Sequence, residues 1–426
     1  MNAIALLILL AQDVDLAPGA DLAQALSRVG PGGTITLAAG RYAPGQTMIT
    51  TARLTVRSKP GGRAVLDFGG RGGFYLKGDG IVLRDLDILN AQNFGVDVDG
   101  SDCVLEGCRV LGSGGDAVKL SPGNWQQKKY NRGTRIERCE IGENKAFEGI
   151  DCVGQDDVRI VDSYFHDTPG WGVYLKGGAA RGVIERCLFV RCGTMPSNPA
   201  GGVCLGEHTG PDEVMTNKHG KAWESVDCTV RNNVFLDIDS AAMAAWCAKG
   251  ARFQNNTAVN VATRDRAAII VLQNHNLPST DLEFVNNVVV GSKQGNRPLV
   301  WIYAQGADGR IVFENNCWSG GNGKFWNQAA GAGPVDFAQW QSAFGTDKTS
   351  LFADPKLDKD HHLLEGSPCI DRAQAIQAFA DDYDGGRRSG RWDIGADEFK
   401  SGTSLAVPPA QGTVGTGPTG TPGARR

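Results

Sequence analysis

The side chains able to do chemistry in this 426-residue chain stand in short segments of alternating character, such as FGVDVDG, GGDAVKLS, FEGIDCVG, GWGVYLKGG and CLGEHTG. A period of two belongs to a strand, whose successive side chains point to opposite faces. One outward column then reads Asp97, Lys119, Asp151, Tyr174 and Cys204, and the next Asp99, Ser121, Val153, Lys176 and Gly206. Asp116 and Glu148 fall just before two of these strands, so Asp97, Asp116, Glu148 and Asp151 surround Lys119. Oxygen ligands gathered like Asp116, Glu148 and Asp151 suit Ca2+. A lysine beside a tyrosine and cationic charge, as Lys176 beside Tyr174, is a candidate base with the phenol as proton donor. Carboxylates one or two rungs apart, Asp116 with Glu148 or Asp97 with Asp151, equally suit a glycoside hydrolase, where about 5 Å favours retention and about 6.5–9.5 Å inversion. The same column also reads as an alternating-charge surface ladder of little energetic worth.

Strands that hold such columns must stack in register, and the sequence repeats accordingly. Leu86, Cys108, Cys139, Ser163, Cys187, Asn233, Asn256, Asn287 and Asn316 anchor segments that recur every 22–31 residues, with one gap of 46. Three residues before each anchor stands an apolar residue, from Leu83 to Phe313, and two after it another, from Ile88 to Trp318. Each unit reads as strand, turn, strand, turn. Units this short cannot bury themselves alone but share one core when stacked. The expected fold is all-β, a single-stranded right-handed parallel β-helix of about ten rungs about 4.8 Å apart. Inward Asn amides at that spacing can bond one to the next. Cys108, Cys139 and Cys187 read as small buried substitutes for Asn, with a metal site as the alternative.

Asp21 before LAQALSRVG marks a short helix that would cap the first rung. VDFAQWQSAFG and the irregular stretch after it would close the other end, giving a β-helix over 13–325 and a capping segment over 326–400. Within that cap, Asp371, Asp382, Asp384 and Asp393 could bind a structural Ca2+, although Asp beside Gly is the usual chemistry of turns. His361 and His362 read as cap residues. Residues 401–426 have the composition of a disordered Gly, Pro and Thr tail. Two insertions, PGNWQQKKYNRG and the stretch 194–226, follow the same strand type, so a binding groove should run beside them.

Composition bounds the partners. The 58 glycines demand frequent turns, and 41% hydrophobic residues supply a large core. A net charge of −4 argues against a nucleic-acid-binding surface. The apolar opening MNAIALLILLAQ is too short for a membrane span of about 20 residues and reads as a short secretory segment over 1–12. The expected location is extracellular, at the cell surface or periplasmic, as a monomer. Eleven cysteines cannot all pair within one chain.

The rung pattern of GIDCVGQDDVRIVDSYFHD and GVYLKGGAARGVIERC, with LFADPKL, GSPCID and DYDGGRRSGRWDIGADEF near the end, resembles the pectin-lyase-like superfamily of right-handed parallel β-helix proteins from about Gly33 to Phe399. The resemblance implies a secreted carbohydrate-active protein. Its motifs for polygalacturonases, the commonest pectate lyases and alginate epimerases are missing here, and the general layout is similar to calcium-assisted lyases with a lysine base. On that likeness the expected activity is β-elimination on an acidic, uronate-containing polysaccharide. Lys176 would be the base and Tyr174 the donor, with Lys119 and His208 as further catalytic candidates. Trp171, Asp97, Glu207 and Arg181 would contact substrate, and Asp116, Glu148 and Asp151 would hold Ca2+. A hydrolase and a non-catalytic carbohydrate-binding adhesin remain alternatives, the latter on the column Trp246, Leu272, Tyr303 beside Ala244, Ile270, Trp301.

Overall fold

What reads in sequence as one strand across each anchor is two strands, folded at a single residue. The residue before the anchor lies in the left-handed region at turn after turn: Asp85, Gly107, Arg138, Asp162, Arg186, Asn232, Asn255, Asn286 and Asn315 all have φ between 50° and 61°. One such residue turns the chain sharply, so each coil carries three strands instead of the expected two. The computed structural model describes residues 13–197 and 200–400. The expected secretory segment (1–12) and tail (401–426) lie outside the described residues.

Among the described residues, the strands stack into three long parallel sheets of 12, 12 and 11 members, forming a right-handed parallel β-helix. In chain order, a coil runs through the first sheet (Val82–Arg84), the second (Leu86–Leu89) and the third (Val96–Val98). The helix begins two turns earlier than the anchor column suggests, because Gly40 and Ala64 occupy the anchor position there and pair in sequence below Leu86.

The core is built from stacked columns. Phe165, Phe189 and Phe235 stack at 4.7 and 4.8 Å between ring centroids, and Phe253, Phe284 and Phe313 at 4.7 and 4.9 Å. The Asn ladder forms as the spacing requires. Each anchor's side-chain oxygen accepts from the backbone N–H of the anchor one coil before: Asn256 from Asn233, Asn287 from Asn256, Asn316 from Asn287. Cys108, Cys139 and Cys187 are fully buried in this column, their Sγ atoms directed at carbonyls of the preceding coil. All eleven cysteines are free and buried.

The N-terminal cap is a helix, Leu22–Leu26, whose N-cap Asp21 accepts from Gln24 N at 3.1 Å. At the far end another helix, Phe337–Phe344, begins with an Asp336–Gln339 capping box and lays the buried Trp340 on Phe313 and Phe325. Only this part of the 326–400 segment closes the end. The remainder turns back as a strap along the second sheet. Ala396 packs on Leu188 and Val234, and the corner residues Asn232, Asn255 and Asn286 donate to the strap carbonyls of Asp381, Asp393 and Gln374. The left-handed corners expose these side chains in a row, which gives the strap its partners.

Candidate active site

The third sheet carries both outward columns in the expected register: Asp97 pairs with Lys119, Lys119 with Asp151, Asp151 with Tyr174, Tyr174 with Cys204 and Val153 with Lys176. The two insertions meet beside it. The Tyr130 hydroxyl of the first donates to Val214 O of the second at 3.0 Å, and Lys218 reaches back to Gly154 O at 2.8 Å. Beside this wall opens a cleft of about 570 Å³.

Four carboxylates reach the cleft: Asp116, Glu148, Asp151 and Glu207. Ligand oxygens of the first three lie within 4.8 Å of one another. Asp116 Oδ1 accepts from Glu148 N at 3.0 Å, which fixes the two on adjacent coils. Burial, then the Asp116 and Asp151 carboxylates, push Glu148 up to about 9 against the opposing pull of Lys176. Asp116 is raised for the same reasons, burial first. The cleft floor therefore keeps Glu148 protonated at neutral pH. Asp151 forms a close ion pair with Lys119, while its buried Oδ1 has no hydrogen-bond partner and lies 3.5 Å from Lys176 Nζ.

Lys176 is not the solvated lysine its sequence position suggests. Its side chain is only 14% exposed, it lies 3.4 Å from Glu207, and its ammonium sits 4.5 Å from the Tyr174 ring centroid. Exclusion of solvent disfavours the ammonium form of a lysine. Desolvation does pull it down and is the largest influence, but Asp151, Glu207 and Glu148 together outweigh it, and the net direction is upward. Lys176 thus rests as an ammonium. Tyr174 is buried under it and beside Trp171, and burial raises the phenol far above its usual range. Burial thus favours the neutral phenol and makes Tyr174 a weaker acid than an exposed tyrosine.

Of the other expected contacts, Trp171 and Glu207 line the cleft. Asp97 is buried one coil below Lys119, raised by burial, and accepts from Ser121 Oγ at 3.1 Å. Arg181 lies outside the cleft: its turn follows Ala179–Ala180, and its guanidinium is clamped by Asp157 and Asp156 at 2.8 and 3.2 Å. His208 points into a neighbouring cluster instead, 2.9 Å from Asn274 Nδ2, its ring stacked 5.0 Å from that of His275.

That cluster holds a residue the alternating pattern did not reveal. Glu224, fully buried, accepts from Gly177 N at 2.8 Å, Thr209 N at 2.6 Å and His275 Nε2 at 2.7 Å. It thereby ties down the backbone beside Lys176 and Glu207, and Glu207 keeps a φ of 135°, uncommon for a non-glycine residue. Arg266 was missed too. It stands in the loop before Ile269–Leu272, 5.8 Å above the Trp246 ring, and brings a second cation to the cleft. Trp246 begins an apolar strip that continues the cleft along the third sheet, where Trp301 stacks on Tyr303 at 4.2 Å and on Trp326 at 4.5 Å. The strap runs along the second sheet, so these rings stay half-buried.

A family model described as a right-handed β-helix region matches residues 69–212 and 127–318. Among solved structures, the pectate lyase Pel9A superposes with a TM-score of 0.59 at 16% identity, over 92% of this chain and 97% of its own. The A-module of the mannuronan C-5 epimerase AlgE6 from Azotobacter vinelandii gives 0.53 at 12% identity, covering 81% and 90%. PfbA, a surface adhesin of Streptococcus pneumoniae, gives 0.50 at 11% identity, covering 72% and 86%. Likeness at such identities establishes the fold alone. A search of curated proteins finds no match.

Proposed function

This chain belongs to the right-handed β-helix family, and on that premise we propose that it is a carbohydrate-active enzyme that cleaves a uronate-containing polysaccharide by β-elimination. The observation that carries the reading is the cleft itself: a desolvated lysine between carboxylates, an arginine lining the same cleft, and aromatic walls at Trp171 and Trp246. Aromatic faces suit sugar rings, and Arg266 supplies the fixed cation that a uronate carboxylate requires. The pectate lyase and epimerase among its structural neighbours act, by name, on acidic polymers of this class. A polymeric substrate is compatible with the expected location outside the cytosol.

A divalent cation of the calcium class fits the cleft floor. Asp116, Glu148 and Asp151 offer hard oxygen ligands at suitable mutual distances, Asp151 Oδ1 is buried without a hydrogen-bond partner, and burial with the neighbouring carboxylates keeps Glu148 protonated. Bound there, the cation would neutralise the substrate carboxylate and acidify the adjacent C5–H. Lys176 takes that C5 proton. The C4–C5 double bond forms as the C4–O bond breaks, and the resulting ammonium returns the proton to the leaving oxygen. Desolvation favours the free amine of Lys176, and the surrounding carboxylates oppose it. Neutralising those carboxylates releases the base. Glu224 and His275 position Lys176 by holding Gly177 N–H.

A second reading, hydrolysis, is favoured by one observation: protonated Glu148 beside Asp116 is an acid next to a carboxylate. The two reactions part on their products. Elimination yields one unsaturated uronate, with its ultraviolet absorbance, for every new reducing end; hydrolysis yields reducing ends without absorbance. Chelation abolishes the first reaction and spares the second.

A further inference from the structure

Far from the cleft chemistry, the strap contains three side chains with no other evident purpose. His362, Asp384 and Asp397 bring a ring nitrogen and two carboxylate oxygens within 4.8 Å of one another. The Asp384 side chain is only 9% exposed, and Asp397 only 4%. Yet His362 Nε2, both oxygens of Asp384 and Oδ1 of Asp397 are all buried without a hydrogen-bond partner. Buried carboxylate oxygens left in that state are expensive unless a cation meets them.

The geometry says where the cation belongs. His362 Nε2 and Asp384 Oδ2 stand 3.2 Å apart without forming a hydrogen bond. Ligands about 2.0–2.1 Å from one shared ion lie roughly 2.9–3.4 Å from each other. One outer contact orients a ligand as metal sites require: the second Asp397 oxygen accepts from Leu363 N at 2.8 Å.

We propose that His362, Asp384 and Asp397 bind one structural divalent ion of the zinc class, with water completing its coordination. The imidazole disfavours calcium and magnesium, which take oxygen ligands, and a mixed nitrogen and oxygen set suits zinc. The ion joins the turn at His362 to the hairpin closed by Asp381 and Arg387 and to the last turn before Phe399. It staples the strap as a unit against the second sheet.

The test uses the full chain, stripped with a chelator and titrated with Zn2+, with metal content, calorimetry and melting temperature as readouts. The wild type should take up one tight equivalent and melt higher when loaded. Asp384→Asn and His362→Gln should weaken that binding by at least about 100-fold, whereas His208→Ala, which breaks the His208, Glu224 and His275 group, should retain it. If a variant fails to fold, the wild-type stoichiometry and zinc-dependent melting still decide. No zinc bound at micromolar concentration, equal binding by Asp384→Asn and His362→Gln, or a preference for Ca2+ would each overturn the proposal.

Discussion

Glu148→Gln separates the cost of the cleft floor from its use. Glu148 is buried beside Asp116 and Asp151, and its pKa is raised from the usual 4.5. In the unfolded chain it ionises above about pH 4.5, whereas in the fold it keeps its proton until about pH 9. The folded state binds the extra proton across that window, so stability falls as pH rises through it and is unaffected below it. At pH 7, well inside that window, holding the proton costs the fold on the order of 3 kcal/mol. Glutamine is neutral and similar in size, and removes this penalty. In chelator at pH 7 the variant should melt a few degrees above the wild type, with the advantage vanishing near pH 4. In excess Ca2+ the order should reverse, because the wild type gains an ion that the variant holds poorly. Elimination should be lost throughout. The measurement is a melting curve against pH in chelator and in calcium. Equal or lower stability of the variant in chelator at pH 7 would refute the repulsion, and an unchanged order in calcium would refute the cation site.

Other outcomes follow from the same geometry. Lys176→Arg keeps the charge between Asp151 and Glu207 but cannot deprotonate, so turnover should fall at least about 100-fold while melting stays within a few degrees; Lys176→Ala, which leaves buried carboxylates unpaired, should also lower the melting temperature. The wild-type rate should climb towards alkaline pH, since the raised Lys176 holds its proton longer than a free lysine, and a pH–rate profile reads this directly. Arg266→Ala should raise KM about tenfold on an acidic polymer with kcat changed far less, in steady-state kinetics. Asn256→Ala removes the oxygen that accepts from Asn233 N and Nδ2 and the amide that donates to Val230 O. With Asn287 Oδ1, which also accepts from that amide, four buried groups lose a partner, and chemical denaturation should show a loss of about 3–5 kcal/mol.

The columns of the third sheet were legible because strict alternation over stacked strands leaves one register that buries Val96, Val118, Ile150 and Val173 together. The Asn ladder was legible for the same reason. The three-strand coil was not: Arg138 and Arg186 turn corners in the left-handed region, a conformation their residue types do not announce. The strap was read as an end cap, since only the folded chain shows the row of Asn232, Asn255 and Asn286 awaiting partners. Glu224 and Arg266 stand in loops of unequal length, where period and spacing carry no information. Lys176 was placed correctly on the strand, but its charge state depends on Glu207 and Asp151 reaching it from neighbouring coils, and that sum of burial against carboxylates exists only in three dimensions.

The most direct test incubates the full chain with a panel of uronate-containing polysaccharides in the presence of Ca2+, recording ultraviolet absorbance and reducing ends together, with Lys176→Arg alongside. The expected result is absorbance and reducing ends rising one to one on at least one polymer, both lost in Lys176→Arg and on chelation. Reducing ends without absorbance, or no product from any of them, would contradict elimination at this cleft.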